Sequence, residues 1–393
     1  MGIHVIAVTS SSGLPLFSRH RGASESLAFS IVGSLNGVHM FGKSQQITIE
    51  NAQSQDSSII WKDFEDSITL IAVGTPAIES TLKELVHAVF QAMVLCVGVE
   101  ELRTIRSVER LKRELRACFP IVDRLLECLD TGERASARVP LLPLVEVVLH
   151  EENTVLQSRL DSFAESVESL FACLLLDGCV AVATLGWWEL AVEERKLLSL
   201  VVAANTATTS SDIPVFLPCK SPSVPFRLVS VCLVAGAWVS VLCGPAPDLA
   251  TVEQLAANWW RRSVATLATT LHNQGNLPAS LQLNQGIQGL LLIHCDIGKF
   301  VLCHNLANKK DTRPPSDILR NFYYNTAIHL HKQDLPQKAL ETYWCSEYHK
   351  VHALRSSSNL LCVLYSSAVP THTMRLMTQQ TLQALISEKQ FCW

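Results

Sequence analysis

A pattern of two apolar runs separated by a glycine recurs three times along the chain. Because glycine adopts positive φ without steric cost, tight reversals between strands prefer it, and each pair of runs predicts a β-hairpin. The three predicted hairpins are His4–Ser10 and Leu14–Arg19 around Gly13, Leu170–Leu176 and Val180–Trp188 around Asp177-Gly178, and Gly289–Cys295 and Lys299–Asn305 around Gly298.

After each hairpin the pattern changes to a helical period, further strands and a closing helix. Repeats of this length are small domains in series, which favours a binding scaffold over an enzyme built around one pocket. The predicted class is α+β, with domains at residues 1–130, 144–273 and 286–393. Residues 130–143 and 272–285, rich in Gly, Pro, Asn or Gln, are interpreted as linkers.

Two predicted helices of the first domain contain residues that disfavour a continuous helix. From Ser26 to Phe41 apolar residues recur at helical spacing, although Gly33 and Gly37 lower the intrinsic helix propensity. Glycines in a helix usually offset this loss of propensity by letting the helix pack closely against a neighbouring backbone. A later helix starts near Ser107, a suitable capping residue, and Pro120 should kink or divide it.

The uncharged segment from Leu228 to Pro247 is about long enough to cross a bilayer. Gly236 interrupts it, prolines close it, and its many valines favour strand. We therefore interpret it as a hairpin of Leu228–Val234 and Trp238–Cys243, with a membrane span as the alternative.

Composition limits the classes of function. The 393 residues are 48% hydrophobic and 17% charged, with a mean hydropathy of +0.23, so large cores are expected. A formal net charge of −4 argues against nucleic acid as the main ligand. The 13 cysteines form no CxxC pair and lie in apolar runs, and no signal peptide is evident, which favours reduced thiols in the cytoplasm.

The sequence offers little for catalysis or for a cofactor. It contains neither a GxxxxGK[ST] nor a GxGxxG motif. The segment Gly33–Gly37 differs from a nucleophile elbow because its serine stands second rather than third and the segment is predicted to be helical. We expect no catalytic residue and no cofactor.

A metal site is also not expected. His294, Cys295, Cys303 and His304 flank the third hairpin. Neighbouring residues of a strand point to opposite faces, so these side chains would not converge as the four ligands of structural zinc do.

A basic run follows the first domain's long helix and is interrupted by glutamates. We interpret it as a solvated helix face with pairs such as Glu109–Arg113; contact with an anionic phosphoinositide membrane or an acidic partner is the alternative. The residues that would make that contact are Arg103, Arg106, Arg110, Lys112 and Arg113.

Two adjacent tryptophan pairs, Trp187-Trp188 and Trp259-Trp260, are further interface candidates. One member of such a pair often faces outward as an anchor for a partner. The alternative is that both members are buried where domains meet.

Several segments resemble a known family. Phe29–Gly42 (FSIVGSLNGVHMFG), Trp61–Ile71, Phe90–Leu102 and Val108–Ala117 are similar to the first domain of the Fuzzy family of planar cell polarity effectors. Gly186-Trp187-Trp188, Pro214–Pro218 and Leu319–Tyr323 fit the later domains of that family. Beyond about residue 330 the third domain depends mainly on the repeat pattern.

This resemblance implies three longin domains, each a five-stranded antiparallel sheet between helices. It implies a partner, Inturned, of the same plan, in a pair that resembles the Mon–Ccz and Hermansky–Pudlak exchange-factor complexes, whose first longin domains hold a Rab-family GTPase. It also implies action with a WD-repeat planar polarity effector at the ciliary basal body, in the cytoskeleton.

Two functions follow as hypotheses. In the first, the chain is a non-catalytic half of a heterodimer whose joint surface binds a Rab-like small GTPase and exchanges its nucleotide. In the second, it is a membrane-trafficking adaptor without exchange activity. For the first hypothesis we expect the interface at Ser34, Asn36, Gly37, His39 and Met40, on the glycine-containing helix.

Overall fold

The structure is a computed structural model, and its description covers residues 2–22, 26–75, 79–129, 141–205, 207–272, 283–284, 286–304, 315–332, 340–389 and 393. Most of the two predicted linkers lies outside these residues. Within them the chain forms three sheets with helices packed against them.

The first sheet is antiparallel, in the strand order β2-β1-β5-β4-β3. Its first strand is buried along its whole length. Consecutive residues of β4 contact different helices, since Asp63 binds Lys43 of α1 and Phe64 stacks on Phe90 of α2. Because neighbouring strand residues point to opposite faces, the sheet lies between α1 and α2. The elements are β1 (Gly2–Thr9), β2 (Pro15–Gly22), α1 (Phe29–Ser44), β3 (Asn51–Gln53), β4 (Ser58–Phe64), β5 (Ile68–Thr75), α2 (Glu79–Val97), α3 (Val99–Arg103), α4 (Val108–Glu114) and α5 (Phe119–Glu127).

The closing helices of this domain follow the sequence prediction. The Ser107 side chain accepts a hydrogen bond from the Arg110 backbone N–H at the start of α4. A 3-10 turn, Leu115–Cys118, then separates α4 from α5, with Pro120 in the first turn of α5. Proline fits there because the first turn needs no N–H donor, so the residue divides the helix in two.

Among the residues that the structure describes, one helix, α2, is long and apolar enough to cross a membrane by length and composition. Nine of its residues are buried, and it packs against β4 and β5. This is the burial expected of a core helix that covers one face of a sheet.

The second sheet has the strand order β8-β7-β11-β10-β9. The apolar segment from Leu228 to Pro247 forms a hairpin, as predicted, turning at Gly236 with φ of 91°. The predicted strand Val180–Trp188 was too long: Thr184 accepts a hydrogen bond from the Trp187 N–H and starts a short helix. The elements are β6 (Val145–Glu146), α6 (Asn153–Ser166), β7 (Ala172–Leu176), β8 (Cys179–Ala183), α7 (Leu185–Trp188), α8 (Val192–Ala204), β9 (Ser210–Leu217), β10 (Ser221–Val234), β11 (Ala237–Cys243), α9 (Leu249–Trp260) and α10 (Val264–His272).

The third sheet has six strands in the order β14-β15-β16-β12-β13-β6. The sequence did not predict its strand β15, and a π-helical turn, Tyr323–Ala327, joins its first two helices. The elements are β12 (Ile287–His294), β13 (Lys299–His304), α11 (Pro315–Phe322), α12 (Ile328–Lys332), β14 (Glu341–Cys345), β15 (His349–Ser356), β16 (Asn359–Ser366) and α13 (Thr371–Ser387).

The sixth strand of the third sheet, β6, comes from far earlier in the sequence. It pairs in parallel with β13, through the Val145 N–H to the Gly298 carbonyl at 3.0 Å and the Val147 N–H to the Phe300 carbonyl at 2.8 Å. The next N–H, of Val148, donates to the Val180 carbonyl in β8. The segment assigned by sequence to the start of the second domain therefore also completes the third sheet.

The described residues group into two compact units. The first comprises Met1–Pro143, Lys196–Thr206 and Asp212–Leu228, and the second comprises Leu144–Arg195, Ala207–Ser211 and Val229–Trp393. Within the second unit Gly298, with φ of 73°, leaves room for Val192, and the Arg195 guanidinium donates to the Ile297 carbonyl. These contacts join α8 to the β12–β13 turn.

Candidate interaction surface

Helix α1 has one buried side and one exposed apolar side. Val32 and His39 are buried against strand residues, and Gly42 is buried against Ile47 and Ile49, which follow the helix. On the other side Phe29 is 78% exposed, Phe41 69% and Val38 52%. Large apolar side chains with such exposure, grouped on one helix, are typical of a surface that a partner covers.

Small residues run along the middle of this exposed side. Ser30, Gly33, Ser34 and Gly37 follow one another at spacings of three, one and three residues, which places them on one stripe of the helix. A Cβ atom built on Gly33 or Gly37 would have no neighbouring atom within 4 Å. The glycines therefore serve no packing need among the described residues and leave the stripe open to another backbone.

We call this side of the helix the α1 surface. Apolar side chains border its small-residue stripe. The exposed Ile31 and Val38 also lie on it. The α1 surface consists of Phe29, Ser30, Ile31, Gly33, Ser34, Gly37, Val38, Met40 and Phe41.

The predicted interface residues divide between the two sides of α1. Ser34 and Gly37 lie on the exposed stripe, where the Ser34 hydroxyl donates to the Ser30 carbonyl at 2.9 Å. Asn36 and Met40 lie at its border, with Asn36 Nδ2 3.2 Å from the Met40 sulfur, next to the Gly13 turn of the β1–β2 hairpin.

His39 does not lie on the α1 surface. Its side chain is buried, with Nε2 3.7 Å from Asp63 Oδ2. Burial lowers the pKa of His39, although the Asp63 carboxylate opposes that effect. In this structure His39 can therefore act on a partner only through the position of α1.

Sequence reasoning missed the largest side chains of the α1 surface. Phe29 and Phe41 belong to it, and two further exposed apolar residues are Leu14 in the β1–β2 turn and Ile47 just after the helix. For Phe41 the available signal was its position, since at 100° per residue it lies 180° from Val32. Phe29 lies 60° from Val32, so the helical period gave no signal for its exposure.

The basic run makes local ion pairs. Arg103 donates to Glu65 at 2.9 Å, Arg110 to Glu114 at 2.8 Å, and Lys112 to Glu109 at 2.9 Å. The hydrogen bonds to Glu65 and Glu114 raise the pKa values of Arg103 and Arg110. Glu109 pairs with Lys112 rather than with Arg113 as the sequence suggested, and both Arg106 and Arg113 are exposed.

The tryptophan pairs lie on helices, and each has one buried member. Trp187 and Trp260 are fully buried, whereas Trp259 is 41% exposed. Trp188 is half-buried beneath two cations, with the Arg195 guanidinium and the Lys299 ammonium each 5.2 Å from its ring. Only Trp259 is thus available as an outward anchor.

No three His, Cys, Asp or Glu side chains among the described residues come together as a metal site requires. His294 and Cys295 follow each other across the end of β12, and Cys303 is buried in β13. The side chain of His304 lies outside the described residues.

Comparison with known proteins places this architecture in a class. Models of the first, second and third longin domains of FUZ, MON1 and HPS1 match residues 4–125, 167–261 and 286–389. The chain is therefore a protein of three longin domains, an α+β fold with an antiparallel-rich sheet and helices in each.

The relatives identify the family within that class. The chain is 35% identical to the protein fuzzy homologs of Rattus norvegicus, over 98% of this chain and 97% of that protein, and of Xenopus tropicalis, over 99% of both. The identity to the Homo sapiens protein fuzzy homolog is also 35%, over 98% of this chain and 97% of that protein. The chain belongs to the Fuzzy family of planar cell polarity effectors.

Proposed function

We propose that this chain is the non-catalytic half of a heterodimer in ciliogenesis and planar cell polarity. Its α1 surface packs against the first longin domain of a partner of the Inturned type. The joint surface binds a Rab-like small GTPase, together with a WD-repeat effector at the ciliary basal body. Membership in a family shared with MON1 and HPS1 longin domains supports a longin partner.

The observation that carries this proposal is the exposed apolar α1 surface with its open glycine stripe. Large apolar side chains gain about 1.5–3 kcal/mol each when a partner buries them fully. Glycine and serine at the centre would let a second helix approach closely enough for those side chains to interlock. A helix of the same fold is the occupant that these two features fit.

Nucleotide exchange in this proposal needs no bond to be formed or broken by side chains of this chain. The heterodimer would bind the nucleotide-free GTPase more tightly than the loaded one. That difference in affinity shifts the equilibrium towards nucleotide release.

The first test is the substitution Gly37→Leu. We expect association with the Inturned-type partner to weaken at least tenfold, because the new side chain fills the stripe. The chain itself should fold with equal or slightly greater stability, by about 0.5 kcal/mol, since leucine has the higher helix propensity. Association is measured by isothermal titration calorimetry and stability by thermal unfolding.

Gly244→Leu is the matched control. Gly244 also has no atom within 4 Å of a built Cβ and is exposed, but it lies after β11 rather than on α1. This variant should bind the partner as the wild type does. Equal affinity of wild type and a folded Gly37→Leu variant would contradict pairing through the α1 surface.

A further inference from the structure

Helix α1 is held to its sheet by a narrow apolar contact. Three of its 16 residues are buried, whereas α2 buries nine of its 19. No side chain caps its first turn, which follows Ala28, and its two glycines lower its helix propensity. A helix with so little apolar burial depends more on directional polar contacts.

Strand β4 supplies two such contacts. The indole N–H of the buried Trp61 donates to the Leu35 carbonyl in the middle of α1, at 3.1 Å. Two residues further, Asp63 Oδ2 accepts from Lys43 near the end of the helix at 2.7 Å. Trp61 and Asp63 lie on the same face of β4 because strand side chains alternate.

The Asp63 carboxylate is itself held in place by hydroxyl groups. Its Oδ1 accepts from the Thr69 hydroxyl of β5 at 2.6 Å, and Thr69 Oγ1 lies 2.9 Å from the Ser10 hydroxyl at the end of β1. One oxygen thus faces the sheet while the other faces Lys43 and His39 of α1. The carboxylate is a fixed link between three strands and the helix.

We propose that Asp63, together with Trp61, positions α1 and so sets the orientation of the α1 surface. Without these links the helix would open locally while the rest of the domain stays folded, as weakly packed elements do. The consequence for partner binding rests on the proposed function, but the local opening does not.

Hydrogen exchange of the full chain tests the local opening. In Asp63→Asn we expect the amides of residues 29–44 to exchange about threefold to tenfold faster, the range for a partly exposed charge-assisted link. Exchange in α2 should not change. Asp63→Glu, which keeps the carboxylate, should restore part of the protection.

Asp123→Asn is the matched control, because Asp123 of α5 also pairs with a cation of the same domain, Arg19 of β2, rather than with Lys43 of α1. It should leave exchange in α1 unchanged. Trp61→Phe, which keeps an aromatic ring but removes the N–H, should act like Asp63→Asn. Unchanged α1 exchange in a folded Asp63→Asn variant, or an equal increase in α1 and α2, would overturn the positioning role.

Partner association separates this inference from the proposed function. Affinity falls only by the fraction of chains in which α1 is closed, so Asp63→Asn should weaken association measurably only if the open fraction becomes large. Faster α1 exchange in Asp63→Asn, together with unchanged association of a folded Gly37→Leu variant, would uphold the positioning of α1 and overturn pairing through the α1 surface.

Discussion

The half-buried His331 makes the stability of the chain depend on pH. The His331 ring accepts or donates a hydrogen bond with the Tyr323 hydroxyl at 2.6 Å. Burial, followed by the positive charges of Arg355 and Lys332, lowers the pKa of His331 to about 4. The unfolded chain, with an ordinary pKa of about 6.5, therefore takes up a proton before the folded chain does.

This difference makes stability fall in acid. Above about pH 6.5 both states are neutral at His331 and the residue contributes nothing to the pH dependence. Between about pH 6.5 and pH 4 only the unfolded state is protonated, so the free energy of unfolding should fall by as much as about 3 kcal/mol from this residue. Urea unfolding at a series of pH values measures the loss.

His331→Asn is the comparison variant, since its amide can still meet the Tyr323 hydroxyl but does not titrate. Its free energy of unfolding should decline less steeply than that of the wild type over this pH window. Parallel curves for the two proteins would show that the His331 pKa is not lowered in the folded chain.

The conformation of single residues was easier to predict from the sequence than their burial, because burial depends on the neighbouring elements. Gly13, Gly178, Gly236 and Gly298 all take the positive φ that the hairpin pattern predicts. The side of α1 on which a residue lies was harder to predict. His39 is buried and Phe41 exposed, since the sheet covers a narrow strip of the helix that a general apolar count does not locate.

Elements with a strong local signal were predicted within a few residues. The predicted strands Gly289–Cys295 and Trp238–Cys243 correspond to β12 (Ile287–His294) and β11 (Ala237–Cys243). Strand β15 was missed because only Val351, Ala353 and Leu354 of its eight residues are apolar, so it contains no continuous apolar run. Strand β6 has two residues and its partner lies far along the sequence, so no local pattern marks it.

A substitution in the segment after β6 tests its contribution. Val147→Pro removes the N–H that donates to Phe300 and should lower the free energy of unfolding by about 3 kcal/mol. Val147→Ala keeps that N–H and should cost about 1.5 kcal/mol, from lost apolar burial alone. Chemical denaturation of both variants gives the two values, and equal losses would contradict a role for the backbone hydrogen bond.

At the scale of the whole molecule, three similar domains and an exposed apolar helix are features typical of a protein that binds other proteins rather than of an enzyme with one catalytic pocket. The three-domain plan was predictable because the hairpin pattern repeats. The α1 surface was predictable in part, from its glycines and serines, whereas its large apolar members became evident from their exposure. The hydrophobic pattern is similar in all three domains, so it does not predict which of them a partner covers.

A nucleotide-release assay decides between the two functions proposed for the whole molecule. If the chain is half of an exchange factor, the purified heterodimer should accelerate GDP release from a Rab-like GTPase well above the spontaneous rate. The chain alone and a heterodimer containing Gly37→Leu at matched concentration serve as controls. Release at the spontaneous rate with an intact heterodimer would favour a trafficking adaptor.

The parallel pairing of β6 with β13 has a consequence for the order in which the chain can fold during synthesis. Val145 leaves the ribosome long before Lys299, to which it is opposed in the third sheet. In the interval the Val148 N–H can already donate to Val180, which holds the segment against the second domain. The third sheet, the last to be synthesised, therefore adds its strand β13 to an edge strand, β6, that is already present. If the ribosome stalls before residue 299, β6 has no strand to pair with and stays uncovered.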